Sequence, residues 1–380
     1  MDQMNRLARA AWKALVLTMS VLGTLATGCG EPPATSKPMP PKSEVIPAIL
    51  PLTGASADLG RSVEQGMRLA EADLLVAGKP YRLEVEDSQG SAERALTAYG
   101  SLSVAHPSKV VLSWMSSAGR ALAPVTRVDN TLLFVGAALP DLTAADGKVV
   151  RVWANAIQIG ETMGHVASRR GYKQVAILYV NDDYGRSVAN AFQGVFEHQG
   201  GRVVAREPLD PAQTDYRTPG ERLKRTRPDA LYIPAYGGAY TNGLRQIREV
   251  FGNEMPIIAD FTLLSSFTLP KVGEAAEGVL VPATYLDLDP RPTAPALAFG
   301  DRYRAKYHME ADFNAGLGYM MLTIAAQALD ARRAGGDPAA AIRGRVFQGP
   351  IGELRYDGRN DCTLPIELAR IQGGRARRVP

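Results

Sequence analysis

The chain has 380 residues, 46% of them hydrophobic and 22% charged, with a formal net charge of +4 at pH 7. This length and apolar content suffice for two globular domains that share one chain. The small net charge excludes the electrostatic footprint of a nucleic-acid-binding protein, and the basic cluster at residues 375–378 is expected to be a solvated end.

The first thirty residues predict a secretion signal. A basic start precedes an uncharged apolar run over residues 14–25, which at about a dozen residues is shorter than the roughly 20 that a membrane-spanning helix needs. Small residues then lead to Cys29, an arrangement that resembles a bacterial lipobox, in which the cysteine thiol is acylated. We therefore predict a lipoprotein signal peptide over residues 1–28 and lipidation of Cys29, with ordinary secretion and a chance cysteine as the alternative.

The next segment, residues 29–43, contains five prolines and almost no large apolar side chains. Such a segment cannot bury enough surface to fold, so it is predicted to be a flexible tether. If Cys29 is acylated, Cys362 has no cysteine left to pair with. No disulfide is therefore expected.

Beyond the tether, short apolar runs rich in β-branched residues alternate with amphipathic stretches of helix length, the pattern of βα units around parallel sheets. A first series has predicted strands at residues 45–50, 81–86, 109–113 and 131–135, with helices at 61–77, 91–105 and 118–128. A second series has strands at 174–180, 202–207, 230–234 and 256–259, with helices at 157–170, 187–199, 218–225 and 241–250. We predict an α/β fold of two doubly wound lobes with parallel central sheets.

Two less regular passages predict crossovers between these lobes: residues 141–155, and a proline-rich passage after a strand at 278–281. Helices near 295–308 and 313–334 are expected to return to the first lobe, and strands near 351–356 and 366–371 to end the second. This gives lobe 1 as residues 44–152 plus 284–350 and lobe 2 as residues 153–283 plus 351–380. A hinge of several crossovers would join the lobes around a cleft.

In open α/β sheets, ligands bind where loops leave the carboxyl ends of the strands. The loops at these places are residues 51–54, 114–118 and 136–140 in the first series, and 181–185, 235–238 and 260–262 in the second. These six loops are the candidate binding site.

The segments Pro51-Leu52-Thr53-Gly54, Ser116-Ser117, Asn181-Asp182-Asp183-Tyr184-Gly185 and Leu244-Arg245-Gln246-Ile247-Arg248 resemble, in order and spacing, the type I periplasmic solute-binding proteins of ABC uptake systems. The resemblance is to the branch that includes leucine/isoleucine/valine-binding proteins, and it covers about residues 44–375. It implies a Venus-flytrap fold that closes on a small molecule, delivers it to an ABC permease and catalyses no reaction.

The resemblance also implies which first-lobe residues meet the ligand. Ser116 and Ser117 would hold the ligand's carboxylate, although their place at a predicted helix start also fits a plain N-cap. Ala137 and Ala138 would turn their backbone towards the ligand. Leu139 follows them where amino-acid-binding relatives often have threonine, which removes a hydroxyl from the site.

Three residues of the second lobe would close the site. Tyr184 would cover the ligand with its ring and offer one hydroxyl, unless it only belongs to a helix-capping turn. Tyr236 is offset by one position from the family's second tyrosine. Asp260 would bind the ammonium group of an amino acid, or else Phe261 faces the cleft and Asp260 is a solvated cap.

Trp114 and Met115 complete the predicted ligand-binding set. Trp114 is the largest side chain near the pocket, and core packing explains it as well as ligand stacking does. The ligand is expected to be an amino acid or a related compound. Because Leu139 and Trp114 depart from the pattern of amino-acid-binding relatives, aromatic acids, amides and short carboxylates are left open.

Enzymatic chemistry has little support in this sequence. The four histidines form no spaced pair suited to a metal, and Gly-x-Ser-x-Gly, phosphate-loop and Cys-x-x-Cys motifs are absent. A hydrolase on the same scaffold stays an alternative, because sequence does not reveal sites assembled in space. We predict that the protein is not an enzyme and that it binds neither a metal nor a cofactor.

The resulting prediction is an extracytoplasmic, membrane-anchored lipoprotein, monomeric, that captures a small carboxylate-bearing ligand by hinge closure and delivers it to an ABC permease. The alternative is a ligand-sensing lipoprotein of the same fold that acts on a receptor or a cell-wall partner.

Overall fold

The computed structural model describes residues 43–143, 147–210 and 212–379. The predicted signal peptide, Cys29 and all of the predicted tether except Ser43 lie outside these residues. No helix within the described ranges is long and apolar enough to cross a membrane.

The first sheet contains only parallel strands, in the order β2-β1-β3-β4-β5. Its strands are β1 (Glu44–Leu50), β2 (Tyr81–Asp87), β3 (Val110–Trp114), β4 (Leu132–Gly136) and β5 (Val149–Arg151), and the helices between them are α1 (Ala57–Val76), α2 (Ala92–Ala105) and α3 (Ser116–Val128). Strands β3, β4 and β5 are buried along their whole length, as expected for a parallel sheet covered on both faces. Strand β5 was not predicted, because it lies inside the supposed crossover and has three residues.

The second sheet is mixed, in the order β15-β14-β10-β9-β8-β6-β7. Its strands are β6 (Gln174–Val180), β7 (Arg202–Leu209), β8 (Ala230–Ile233), β9 (Ile257–Ala259), β10 (Leu280–Ala283), β14 (Glu367–Gln372) and β15 (Arg375–Arg378). The helices beside them are α4 (Ala156–Arg169), α5 (Asp183–His198), α6 (Arg217–Lys224), α7 (Leu244–Phe251) and the short α8 (Leu269–Val272). Strands β6 to β10 are parallel, and β14 and β15 are antiparallel to their neighbours.

A third, small sheet consists of β11 (Val346–Gly349), β12 (Gly352–Tyr356) and β13 (Cys362–Thr363), all antiparallel. The predicted strand at 351–356 is therefore β12 of this small sheet, whereas the predicted strand at 366–371 joins the second sheet as β14. The prediction of an α/β fold with two sheets whose central strands are parallel is confirmed. The exact lobe boundaries stay a prediction.

Two helices follow the second predicted crossover, α9 (Ala294–Tyr307) and α10 (Phe313–Arg333). Helix α10 packs on α1 and reaches β3 and β4 of the first sheet. Gly66 of α1 and Gly318 of α10 make this approach possible, because a Cβ on either glycine would overlap a backbone carbonyl of the facing helix. The start of α10 is thereby fixed next to the ends of the first-sheet strands.

The basic cluster at residues 375–378 is solvated, as expected, but it also forms part of a sheet. Their backbone forms the edge strand β15, paired with β14. Arg375 and Arg377 form ion pairs with Asp289, and Arg378 forms one with Glu367. The three arginines remain exposed, whereas Ala376 is buried, and the backbone pairing was not predicted.

Candidate functional site

Loops at the carboxyl ends of both large sheets surround one pocket. Its walls come from the first sheet, from the second sheet and from the start of α10. The residues that line it are Leu59, Trp114, Met115, Ser116, Gly136, Ala137, Ala138, Trp153, Tyr184, Tyr236, Thr262, Phe313 and Asn314.

Aromatic rings form much of the wall around Trp153. The centroid of its ring lies 4.9 Å from that of Phe313 in a stacked arrangement and 5.0 Å from that of Phe261 in an edge contact. Trp114 approaches the same ring to 6.3 Å. Trp114 therefore packs near Trp153 and also lines the pocket. A flat, apolar part of a ligand could stack on these rings.

The serine turn opens α3, as predicted, but neither serine caps the helix. The N-cap is Met115, whose φ of 92° lies in the left-handed region that non-glycine residues rarely adopt. Ser116 Oγ accepts a hydrogen bond from the backbone N of Ala138 at 3.1 Å, so its own proton is free to donate towards the pocket. Ser117 Oγ donates to the Gly90 carbonyl at 3.3 Å and lies outside the pocket lining.

A buried arginine fixes the loop that follows β4. Arg151 is fully buried, and its Nη1 donates to the Ala137 carbonyl while its Nη2 donates to the Leu139 carbonyl at 2.6 Å. Its Nε donates to Asp361 Oδ1 at 2.6 Å. Arg151 therefore positions Ala137 and Ala138 from behind without lining the pocket itself.

On the second-sheet side, both predicted tyrosines line the pocket with their hydroxyls turned into the protein. Tyr184 lies in the first turn of α5 and donates to Asp260 Oδ2 at 2.5 Å. Tyr236 donates to Asp182 Oδ2 at 2.6 Å. The other oxygen of Asp182 caps α5 by accepting from the backbone N of Gly185 at 2.9 Å. The rings, rather than the hydroxyls, are presented to a ligand.

Asp260 lies behind Tyr184 and does not line the pocket. It is fully buried, and besides Tyr184 it accepts a hydrogen bond from the backbone N of Phe261 at 2.7 Å. Desolvation by burial raises the pKa of its carboxyl to about 6. The alternative of a solvated cap is therefore wrong, because Asp260 caps the next turn but has no contact with solvent. Thr262, two residues further on, takes the position at the wall.

Exposed ion pairs join the two sides of the cleft. Arg120 Nε lies 3.0 Å from Asp183 Oδ2, and Lys271 Nζ lies 2.9 Å from Asp58 Oδ2. Pairs of this kind contribute at most about 1 kcal/mol each. Both pairs link a residue on the first-sheet side of the pocket to a residue on the second-sheet side.

Comparisons with known proteins match this architecture. A family model described as periplasmic binding protein matches residues 45–375. The chain belongs to the periplasmic binding protein family.

Relatives place this periplasmic binding protein in the type I, leucine/isoleucine/valine-binding group, as predicted. The leucine-, isoleucine-, valine-, threonine- and alanine-binding protein of Pseudomonas aeruginosa is 23% identical over 82% of this chain and 85% of its own length. A Streptococcus pneumoniae branched-chain amino acid transporter substrate-binding protein, LivJ, solved with isoleucine, has a TM-score of 0.81 at 20% identity, over 89% of this chain and 99% of that one. An ABC transporter solute-binding protein of Rhodopseudomonas palustris, solved with 3,4-dihydroxybenzoic acid, has a TM-score of 0.80 at 21% identity, over 89% and 96%.

The binding protein brings most of the predicted site residues together. Those around the pocket are Trp114, Met115, Ser116, Ala137, Ala138, Tyr184 and Tyr236, while Ser117 and Asp260 lie outside its lining. Six further residues line the pocket and were not predicted: Leu59, Gly136, Trp153, Thr262, Phe313 and Asn314. Gly136 and Thr262 belong to loops that were singled out, so a wider reading of those loops would have found them.

The family consists of solute-binding proteins, which confirms the prediction that the chain is not an enzyme. Within the described ranges, no group of three or more His, Cys, Asp or Glu side chains could hold a metal ion. Cys362 is a buried free thiol, and burial raises its pKa to about 12.

Proposed function

We propose that this protein captures a small carboxylate-bearing solute, an amino acid or a related compound, and delivers it to an ABC permease. The observation that carries the proposal is a pocket built from the carboxyl ends of both sheets, with a free serine proton on one side and tyrosine rings on the other. A ligand that touches both sides stabilises the closed arrangement over the open one, and this difference drives closure.

The carboxylate would bind at the start of α3. Backbone N–H groups in the first turn of a helix have no partner within the helix, and the helix dipole favours negative charge there. The Ser116 hydroxyl adds a donor beside them. A carboxylate is also shared by isoleucine and 3,4-dihydroxybenzoic acid, the ligands of two structural neighbours.

Within this class of carboxylate-bearing solutes, the lining of the pocket supports an aromatic acid more than an α-amino acid. Among the described residues that line it there is no Asp, Glu, Lys or Arg, and the nearby acid, Asp260, is already engaged by Tyr184 and Phe261. A ligand ammonium group would therefore be buried without a charged partner, which is costly. The rings of Trp114, Trp153 and Phe313 would instead cover an aromatic ring.

The two serines give a matched test of the carboxylate site. Ser116→Ala is expected to weaken binding of a carboxylate probe by roughly ten- to a hundredfold, because it removes a hydrogen bond to a charged group. Ser117→Ala is the control and should bind the probe as wild type does, since the Ser117 hydroxyl already donates to the Gly90 carbonyl. Calorimetric titration with leucine, isoleucine, benzoate, 4-hydroxybenzoate and 3,4-dihydroxybenzoate would measure both.

The result that contradicts this proposal is equally direct. If none of these acids binds the wild-type protein, or if Ser116→Ala and Ser117→Ala bind the best probe equally well, the serine turn does not read a carboxylate.

We also propose that the protein is a lipoprotein held outside the cytoplasm by an acylated Cys29. The support is the sequence alone: a short apolar run, small residues before the thiol, and a proline-rich tether after it. One acylated cysteine would carry the anchor, because the proline-rich sequence after it has almost no large apolar side chains with which to bind a membrane.

Cys29→Ser is expected to abolish incorporation of labelled fatty acid and to release the protein from membranes or leave it unprocessed. Cys362→Ser is the matched control, since these are the two cysteines of the chain and Cys362 is buried. Fractionation and fatty-acid labelling in cells would measure both. Unchanged labelling of Cys29→Ser would rule out the anchor.

A further inference from the structure

Asn314 combines two features that no other described residue at this pocket shares. It lines the pocket, and its amide Nδ2 is buried without a hydrogen-bond partner within the described residues. Only 1% of the residue is exposed. Buried polar groups in folded proteins are almost always hydrogen-bonded, so an exception at a binding pocket calls for an explanation.

Hydrogen bonds on either side of Asn314 hold the start of α10 in place. The backbone N of Phe313 donates to Asp287 Oδ1 at 2.8 Å, and the backbone N of Ala315 donates to Asp312 Oδ1 at 3.0 Å. Asp312 also accepts from Ser62 Oγ at 2.5 Å, which ties the start of α10 to α1. The amide of Asn314 is thus presented from a rigid helix start and left without a partner.

On the second-sheet side of the wall, three hydroxyl groups are already engaged in hydrogen bonds within the protein. Tyr184 donates to Asp260, Tyr236 donates to Asp182, and Thr262 donates to the Ala235 carbonyl. These three hydroxyls lie on the second-sheet side, so their protons are not available to a ligand. Asn314 Nδ2, by contrast, has no acceptor among the described residues and can donate to a ligand.

We propose that Asn314 is a specificity-determining residue, whose Nδ2 donates a hydrogen bond to an oxygen of the bound solute. The inference rests on the proposed solute-binding function. In the absence of solute the unpaired amide destabilises the protein, and the solute supplies the missing acceptor. Selectivity follows, because a molecule without an oxygen at this place leaves the donor unpaired.

The test is Asn314→Leu, which keeps the approximate size and removes the donor. It is expected to weaken binding of the best acid of the panel by roughly tenfold or more, and to leave the melting temperature of the ligand-free protein equal to or above that of wild type. Asn314→Ala should show the same loss of affinity if the leucine does not fit.

Tyr232→Phe is the matched control, because Tyr232 also carries a buried unpaired hydroxyl but lies on β8 and is not among the residues that line the pocket. Its ring stacks on Phe192 at 4.2 Å, and phenylalanine keeps that contact. Tyr232→Phe should not lower the melting temperature and should leave the affinity unchanged.

The outcomes separate the two proposals. If wild type binds an acid and both Asn314 variants bind it within about twofold, the Asn314 inference is wrong while the proposed function stands. If wild type binds no acid, the proposed function fails. In that case the ligand-free melting temperatures still decide: a clear loss of stability in both variants would show that the amide has a structural partner and would overturn the inference.

Discussion

Replacing Arg151 by methionine is expected to lower the free energy of unfolding by about 3 kcal/mol or more. The guanidinium is fully buried and binds one carboxylate and two backbone carbonyls, of Asp361, Ala137 and Leu139. Methionine fills similar space without the charge, so all three acceptors lose their donor. Asp361 is partly exposed and can regain water, which places the expected loss towards the lower end of the range for broken buried pairs.

Urea denaturation of wild type and Arg151→Met would measure this loss. Arg375→Met is the matched control: its ion pair with Asp289 is exposed and should contribute less than about 1 kcal/mol. Arg151→Met should also weaken binding of the best acid, because the loop behind Ala137 and Ala138 loses its support. A difference of less than 1 kcal/mol between the two variants would mean that the arginine is not needed to hold the loop.

The sheets were predictable because their strands carry a local signal. Buried parallel strands such as β3, β4 and β6 read as short apolar runs rich in β-branched residues. Their order along the chain then predicted that the binding loops lie at the carboxyl ends of the strands in each sheet. Strand β5 has only three residues, too few for any pattern to stand out, and Trp153, two residues after it, was therefore missed.

The side chains within the loops were harder to predict than the loops themselves. Asp260 and Thr262 belong to the same loop, yet Thr262 lines the pocket and Asp260 lies behind it. Ser116 and Ser117 differ in the same way. Which of two close neighbours faces a pocket depends on local backbone angles, such as the positive φ of Met115, and these follow from tertiary packing rather than from sequence pattern.

Contacts between distant segments were not predictable at all from the residues. Arg151 and Asp361 are 210 positions apart, and their ion pair depends on where β13 is placed against the first sheet. Asn314 likewise reaches the pocket only because α10 packs on α1. This packing is close, since Gly66 of α1 faces the Ala315 carbonyl of α10.

Gly66→Ala is therefore expected to destabilise the protein by about 3 kcal/mol or more, because the new methyl group would overlap the backbone of α10, which cannot rotate away as a side chain can. Gly100→Ala is the matched control. It is also within a helix, α2, but has open space around it, so alanine should stabilise by about 0.5–1 kcal/mol through helix propensity.

Urea denaturation would give both values, and titration with the best acid would show whether the change reaches the site. Since α10 begins with Phe313 and Asn314, a displacement of this helix should also weaken binding in Gly66→Ala and leave it unchanged in Gly100→Ala. If the two variants were equally stable, the close approach of α1 and α10 would not be what fixes the pocket wall.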